Sequence, residues 1–140
     1  MASNNAKNYK AAHDAFNSRD WNTLQSFFAP KATYDDHPTG LTTKTAEEFV
    51  DWTKGWVKAF SDCTVAEPRY IDAGDTVVAL FTGRGTNDGP MMDHPATGQR
   101  IAVPMCEVLK FDSSGKIVHG EIFYDAMTML TQLGLAQPPK

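Results

Sequence analysis

The chain has 140 residues and 15.4 kDa, with 41% apolar, 21% charged and 11% aromatic residues, a composition that excludes disordered, collagen-like and disulfide-framework classes and leaves one hydrophobic core. Thirteen Lys plus Arg against seventeen Asp plus Glu give a net charge of -4, so no basic footprint recommends nucleic acid or an anionic membrane as a partner. Cys63 and Cys106 share no ligand or redox spacing, the N-terminus lacks an apolar targeting core, and no apolar run approaches the ~18 residues of a membrane span. The expectation is a single cytoplasmic domain over residues 1–140 with buried free thiols.

Tyr9, Ala12, His13 and Phe16 recur at helical spacing, and a second short helix follows with Trp21, Leu24, Phe27 and Phe28, capped by Asp20 and stopped at Pro30. Ala32 to His37 reads as a short strand closed by Pro38-Thr39-Gly40. Thr45 and Glu48 form a capping box that opens a third helix, with Phe49, Trp52, Trp56 and Phe60 along one stripe. From Thr64 the period becomes that of strands: Thr64 to Asp72, a turn at Ala73-Gly74-Asp75, then Thr76 to Thr86. Asn87 to Gly98 is a loop, Arg100 to Phe111 and Lys116 to Tyr124 form a hairpin, and a helix from Ala126 to Leu133 stops at Gly134. The tail from Ala136 to Lys140 reads as a frayed end. This order predicts an α+β fold with helices on one face of a curved antiparallel sheet.

In the last hairpin, a turn that sets Phe111 opposite Ile117 also sets Glu107 opposite Glu121, Met105 opposite Phe123 and Val103 opposite Asp125. Leu109 and His119 share that side. Two carboxyl groups turned into a low-dielectric site do not both ionise cheaply, so at least one pKa is expected to rise toward neutrality, as an acid/base pair requires. The alternative is that both face solvent or pair with Arg84 or Arg69.

Several segments together resemble the SnoaL-like polyketide cyclases of the nuclear transport factor 2-like superfamily. They are Ala15-Phe16-Asn17 with Asp20, Tyr34 to Pro38, Ala59-Phe60-Ser61-Asp62, Ala73 to Val77, Gly85-Thr86 with Gly89-Pro90, Pro95 to Arg100, Gly115 to Val118, and Asp125 with Leu130 to Gly134. The resemblance spans nearly the whole chain and implies a cone of curved sheet capped by three N-terminal helices. It implies an aldol-type ring closure without metal or organic cofactor, with a histidine and an aspartate on the last two strands. Glu107 stands at the histidine position and Glu121, or Asp125, at the aspartate position, so this chain departs from the family's acid/base pattern. The resemblance implies Phe16 as a pocket wall, with His37, Trp52 and Trp56 expected there too, and Tyr34, Met105 and Phe123 are further candidate substrate-binding residues.

The expected function is therefore a cofactor-independent acid/base enzyme of cyclase, isomerase or dehydratase type, acting on a small, largely apolar carbonyl or polyketide-like compound. Glu121 or Asp125 abstracts a proton and Glu107 or His119 returns one. The alternative is a non-catalytic ligand-binding or dimerisation domain of the same fold. An epoxide hydrolase of the limonene type needs an Arg-x-Asp, whereas Arg84 precedes Gly85 and Thr86. A ketosteroid-isomerase reading needs an oxyanion-binding tyrosine, for which Tyr9 and Tyr34 are the candidates. His37, His94, His119, Glu107 and Glu121 have no diagnostic ligand spacing, so no metal is expected. His94 reads as a loop residue and His13 as a surface or helix-packing residue. A homodimer through the outer sheet face is expected as well.

Overall fold

The computed structural model describes residues 4–137, so Pro138 and Pro139 of the expected frayed tail lie outside the described residues. Helix α1 spans Asn4–Asn17 and α2 Trp21–Ser26; strand β1 runs Phe28–Asp36 and β2 Leu41–Thr43; α3 covers Ala46–Ala59. Strands β3 Thr64–Asp72, β4 Thr76–Thr86, β5 Arg100–Phe111 and β6 Ile117–Tyr124 follow, and α4, Ala126–Gln132, ends the order. The second helix is shorter than its apolar pattern suggests: the chain is extended from Phe28 onward, and Pro30 sits inside β1. Strand β2 had no sequence signal, being three residues long and half of a hairpin around Gly40.

The six strands form one curved, unclosed sheet in the order β2-β1-β6-β5-β4-β3. The sheet is mixed, because β1 pairs with β6 in parallel while the other pairs are antiparallel. Helix α1 packs on β3 and β4 and α3 on β1 and β2, so both cover the concave face. The buried residues Tyr9, Ala12, Phe49, Val50, Phe60, Val77, Val103 and Ile117 belong to the core between them. Helix α3 is held at its start as its sequence implies: Glu48 N–H donates to Thr45 Oγ1 at 3.0 Å, and the Glu48 carboxylate accepts from Lys44 N–H at 2.9 Å. Arg19 ties the α1–α2 corner to the end of α3 by donating to the carbonyls of Ser61 and Cys63.

One register detail decides which side chains face inward. Phe111 does pair with Ile117, but Lys110 pairs with His119, so Val118 is an extra residue and β6 is displaced by one from there on. Glu107 therefore opposes Ile122, and Glu121 opposes Val108. Because a one-residue slip exchanges the faces of a strand, the bulge turns Gly120, Ile122 and Tyr124 to the concave side and His119, Glu121 and Phe123 to the outer side. Gly120 is needed where it stands: a Cβ there would lie 2.6 Å from both Leu109 Cδ2 and Tyr34 Cδ2. The absence of a side chain on β6 is what lets the Tyr34 ring lie flat across it.

Candidate active site

Glu107 is the polar centre of the concave face. It is 7% exposed, supplied by the inward alternation of β5. Tyr9, one turn before His13 on α1, donates its hydroxyl to Glu107 Oε1 at 2.6 Å. His13 Nε2 lies 3.1 Å from the same oxygen. The Tyr34 hydroxyl, carried over Gly120 from β1, donates to Glu107 Oε2 in a short hydrogen bond. The carboxylate thus accepts three hydrogen bonds from three side chains on two different elements.

These contacts fix the protonation states. Burial, the largest single influence on Glu107, opposes its charge, but it is outweighed by the hydrogen bond and charge of His13 and the hydrogen bonds of Tyr34 and Tyr9. Its carboxyl is held below the ordinary glutamate value and is ionised at neutral pH. The two tyrosines move the other way: burial first, and then the Glu107 charge, raises both phenols far above their usual value. They remain protonated donors. The expected glutamate with a raised pKa is thus replaced by an ionised one, because its partners are hydroxyl and imidazole donors rather than a second carboxylate.

Glu107 opens onto a cavity of about 90 Å³ lined by α1, α2, α3 and the sheet. Its walls are mostly apolar: Phe16 and Leu24, Phe49, Trp52 and Trp56, and Phe81, Ile101, Met105 and Ile122. Among the described residues that line it, Glu107 is the one carboxylate, and Tyr9 and His13 stand beside it on the wall. The aromatic rings support one another: Tyr34 packs on Phe49 at 4.7 Å and Trp52 at 4.9 Å, and Trp52 meets Trp56 edge-on at 6.2 Å. Trp52 is held from behind by Asp36, whose Oδ2 accepts its indole N–H at 3.1 Å. Asp36 is 3% exposed and its Oδ1 has no hydrogen-bond partner among the described residues.

Of the site residues expected from sequence, Glu107, Phe16, Trp52, Trp56 and Met105 meet at the cavity, and Tyr34 touches it through Glu107. The others do not converge there. Glu121 lies on the outer face and contacts His37 Nε2 at 3.0 Å, with His119 Nε2 at 3.8 Å. His37 stacks on Phe123, at 4.4 Å and 12°, and Phe123 is 43% exposed. His119 bonds Thr33 at 2.7 Å. Asp125 is the N-cap of α4 and accepts from Thr128 N–H at 3.0 Å. The Val118 bulge accounts for Glu121, His119 and Phe123, and the helix start accounts for Asp125. Nor do Arg84 and Glu107 pair; Arg84 binds Glu67 at 2.7 Å.

Sequence reasoning read His13 as a surface or helix-packing residue and did not single out Tyr70 or Asp36. The available signal was the polar His13 inside the buried stripe of α1, where a packing residue without a polar partner would be costly.

The fold and the cavity together define a nuclear transport factor 2-like, ketosteroid isomerase-like protein. The profile of the SnoaL-like polyketide cyclases matches residues 6–133, and the chain belongs to that family. The candidate polyketide cyclase IdmH of Streptomyces antibioticus is similar in structure, at 26% identity over 94% of this chain and 99% of that one, with a TM-score of 0.82. A protein of ketosteroid isomerase-like fold from Catenulispora acidiphila, solved with trimethylamine, is 25% identical over 94% and 97% of the two chains, with a TM-score of 0.79. A SnoaL-like protein from Jannaschia sp. CCS1 is 19% identical over 99% and 96%, with a TM-score of 0.87, a likeness of fold. Among curated proteins none matches the sequence. No helix among the described residues is long and apolar enough to cross a membrane.

Proposed function

We propose that this protein is an acid/base enzyme of cyclase, isomerase or dehydratase type, acting on a small, flat, largely apolar carbonyl compound without metal or organic cofactor. The observation that carries the reading is the ionised Glu107 carboxylate beside the Tyr9 hydroxyl on the wall of an otherwise apolar, aromatic cavity. Phe16, Trp52, Trp56 and Met105 bind the substrate's faces, and Tyr34 holds Glu107 in place. The aromatic walls suit a planar ligand, and its carbonyl is the group that needs a donor.

The three donors that hold Glu107 also make it a weak base at rest. The chemistry resolves this if Tyr9 turns its hydroxyl from Glu107 Oε1 to the substrate oxygen. Glu107 then loses a donor and becomes more basic just as it takes the α-proton, and the electrons of the C–H bond move into an enolate that Tyr9 now stabilises. His13 Nε2–H is the second proton source at the same wall. In this reading Glu107, Tyr9 and His13 replace the roles first assigned to Glu121, Asp125 and His119.

The test is proton exchange. Flat cyclic ketones and enones incubated in D2O are followed by proton NMR for loss of the α-proton signal, with binding read from Trp52 and Trp56 fluorescence. The expected result is exchange above buffer that falls at least ~100-fold in Glu107→Gln, the scale of general acid/base catalysis. Ketones that bind without exchanging would overturn it. That outcome would support the second reading, a ligand-binding protein, which is favoured by one observation: Glu107 is already satisfied by three donors. We extend the proposal to a cytoplasmic homodimer through the outer sheet face, supported by the exposed Ile71 and Phe123 beside Val78, Leu80 and Val108.

A further inference from the structure

Tyr70 lies outside the cavity lining, yet it is joined to the carboxylate. Its hydroxyl, half-buried on β3, is 2.8 Å from His13 Nδ1, while His13 Nε2 is 3.1 Å from Glu107 Oε1. The three rings on this path touch: Tyr9 and Tyr70 at 5.2 Å, His13 and Tyr70 at 5.7 Å, with Phe81 edge-on to His13 at 5.1 Å.

The proton positions along this chain follow from its ends. An ionised carboxylate only accepts, so His13 Nε2 carries a hydrogen. The Tyr70 phenol keeps its proton, because burial, and then the charges of Asp14 and Glu107, raise its pKa. In a relay the Tyr70 hydroxyl is the donor to Nδ1, and the chain of hydrogen bonds then runs from the half-buried Tyr70 inward to Glu107. The charged groups bearing on its outer end are Asp14 and, through the 3.0 Å pair with Asp14, Lys10. On its other side, Glu107 faces a mostly apolar cavity, a poor conduit for water.

We infer that Tyr70 and His13 form a proton relay through which Glu107 exchanges protons with solvent behind the substrate. A hydronium ion gives its proton to the Tyr70 oxygen and leaves as water, while Tyr70 passes its own proton to Nδ1 and Nε2 passes its proton to Oε1. The cluster gains one proton and only O–H and N–H bonds change. Reversal through the Nδ1–H tautomer returns one proton to water. The role of Tyr70 is that of a relay residue outside the cavity, and it deepens the reading of Glu107 as the acid/base group.

The relay is tested on the free protein, so its outcome is separable from that of the ketone assay. Saturation transfer from water is measured at the downfield proton signal of His13 Nε2–H, assigned by 15N coupling. Tyr70→Phe keeps the ring and removes only the hydroxyl, and it is expected to slow exchange at least tenfold. A purely structural role predicts the opposite sign, because loosened packing speeds exchange by local opening. A rate within twofold of the wild type, or a faster one, would overturn the relay even if Glu107 proves catalytic. Phe81→Leu, which loosens the same site without breaking the chain, is the control and is expected to accelerate exchange.

Discussion

Replacing Glu107 with Gln removes the charge and keeps the volume. In the wild type the carboxylate accepts from Tyr9, His13 and Tyr34. A glutamine can present its oxygen to Tyr9 and His13, but its amide can only donate to the Tyr34 oxygen, so the buried Tyr34 hydroxyl hydrogen loses its acceptor. What is lost is charge assistance, about 1 kcal/mol for each of the two bonds that remain, together with the Tyr34 bond. Relief of the buried charge offsets part of this. The depressed pKa of Glu107 says that the balance favours the ion, so a net loss of about 1–2 kcal/mol at pH 7 follows. With a urea m-value of about 1.5 kcal/mol/M for a chain of this size, the midpoint drops by about 1 M.

The sign of the pH dependence is fixed by the direction of the shift. A carboxyl whose folded pKa lies below its unfolded value, ~4.3, stabilises the protein above that value and ceases to do so as pH falls through the folded pKa. Urea titrations of both proteins from pH 7 downward should show the gap closing in acid. A Gln variant as stable as the wild type at pH 7, or a gap of constant size at every pH, would refute the reasoning.

Gly120→Ala places a methyl group 2.6 Å from Tyr34 Cδ2 and Leu109 Cδ2 and should cost about 1–3 kcal/mol by urea unfolding, the usual range for overpacking. It should also lift the Glu107 pKa by displacing Tyr34. Thr45→Ala removes the α3 cap and should cost about 1 kcal/mol in the same assay, with Thr45→Ser recovering most of it. Asp36→Asn should leave Trp52 held, whereas Asp36→Leu frees the indole and should weaken ligand binding measured by tryptophan fluorescence. Glu121→Gln and Asp125→Asn should leave ligand affinity within twofold of the wild type in that measurement; a larger loss in either would return the outer-face carboxylates to the site.

Most of the architecture was legible because it is written in local signals. Thr45 and Glu48 announced α3, Asp125 and Gly134 bracket α4, and the change of period at Thr64 marks the sheet. The parallel pairing of β1 with β6 was not legible, since it joins segments about ninety residues apart and no local feature encodes it. Trp52 and Trp56 were found because helical spacing predicts their face, whereas Glu107 was placed inward by the family resemblance, since spacing leaves two apolar faces to choose from. Glu121, His119 and Phe123 were misplaced by the single extra residue at Val118, and a bulge between two apolar strands has no reliable signature when both faces of the hairpin are apolar. His13 was given a packing role because its partner sits on a strand 94 positions away. Helical spacing alone identifies a buried histidine but not what it is buried against.

The account depends above all on the charge state of Glu107, which carboxyl-resolved 13C NMR measures directly. A titration midpoint below the ordinary glutamate value is predicted, moving upward in Tyr34→Phe and Tyr9→Phe as each donor is removed. A midpoint at or above the ordinary value, unmoved by either tyrosine, would contradict it.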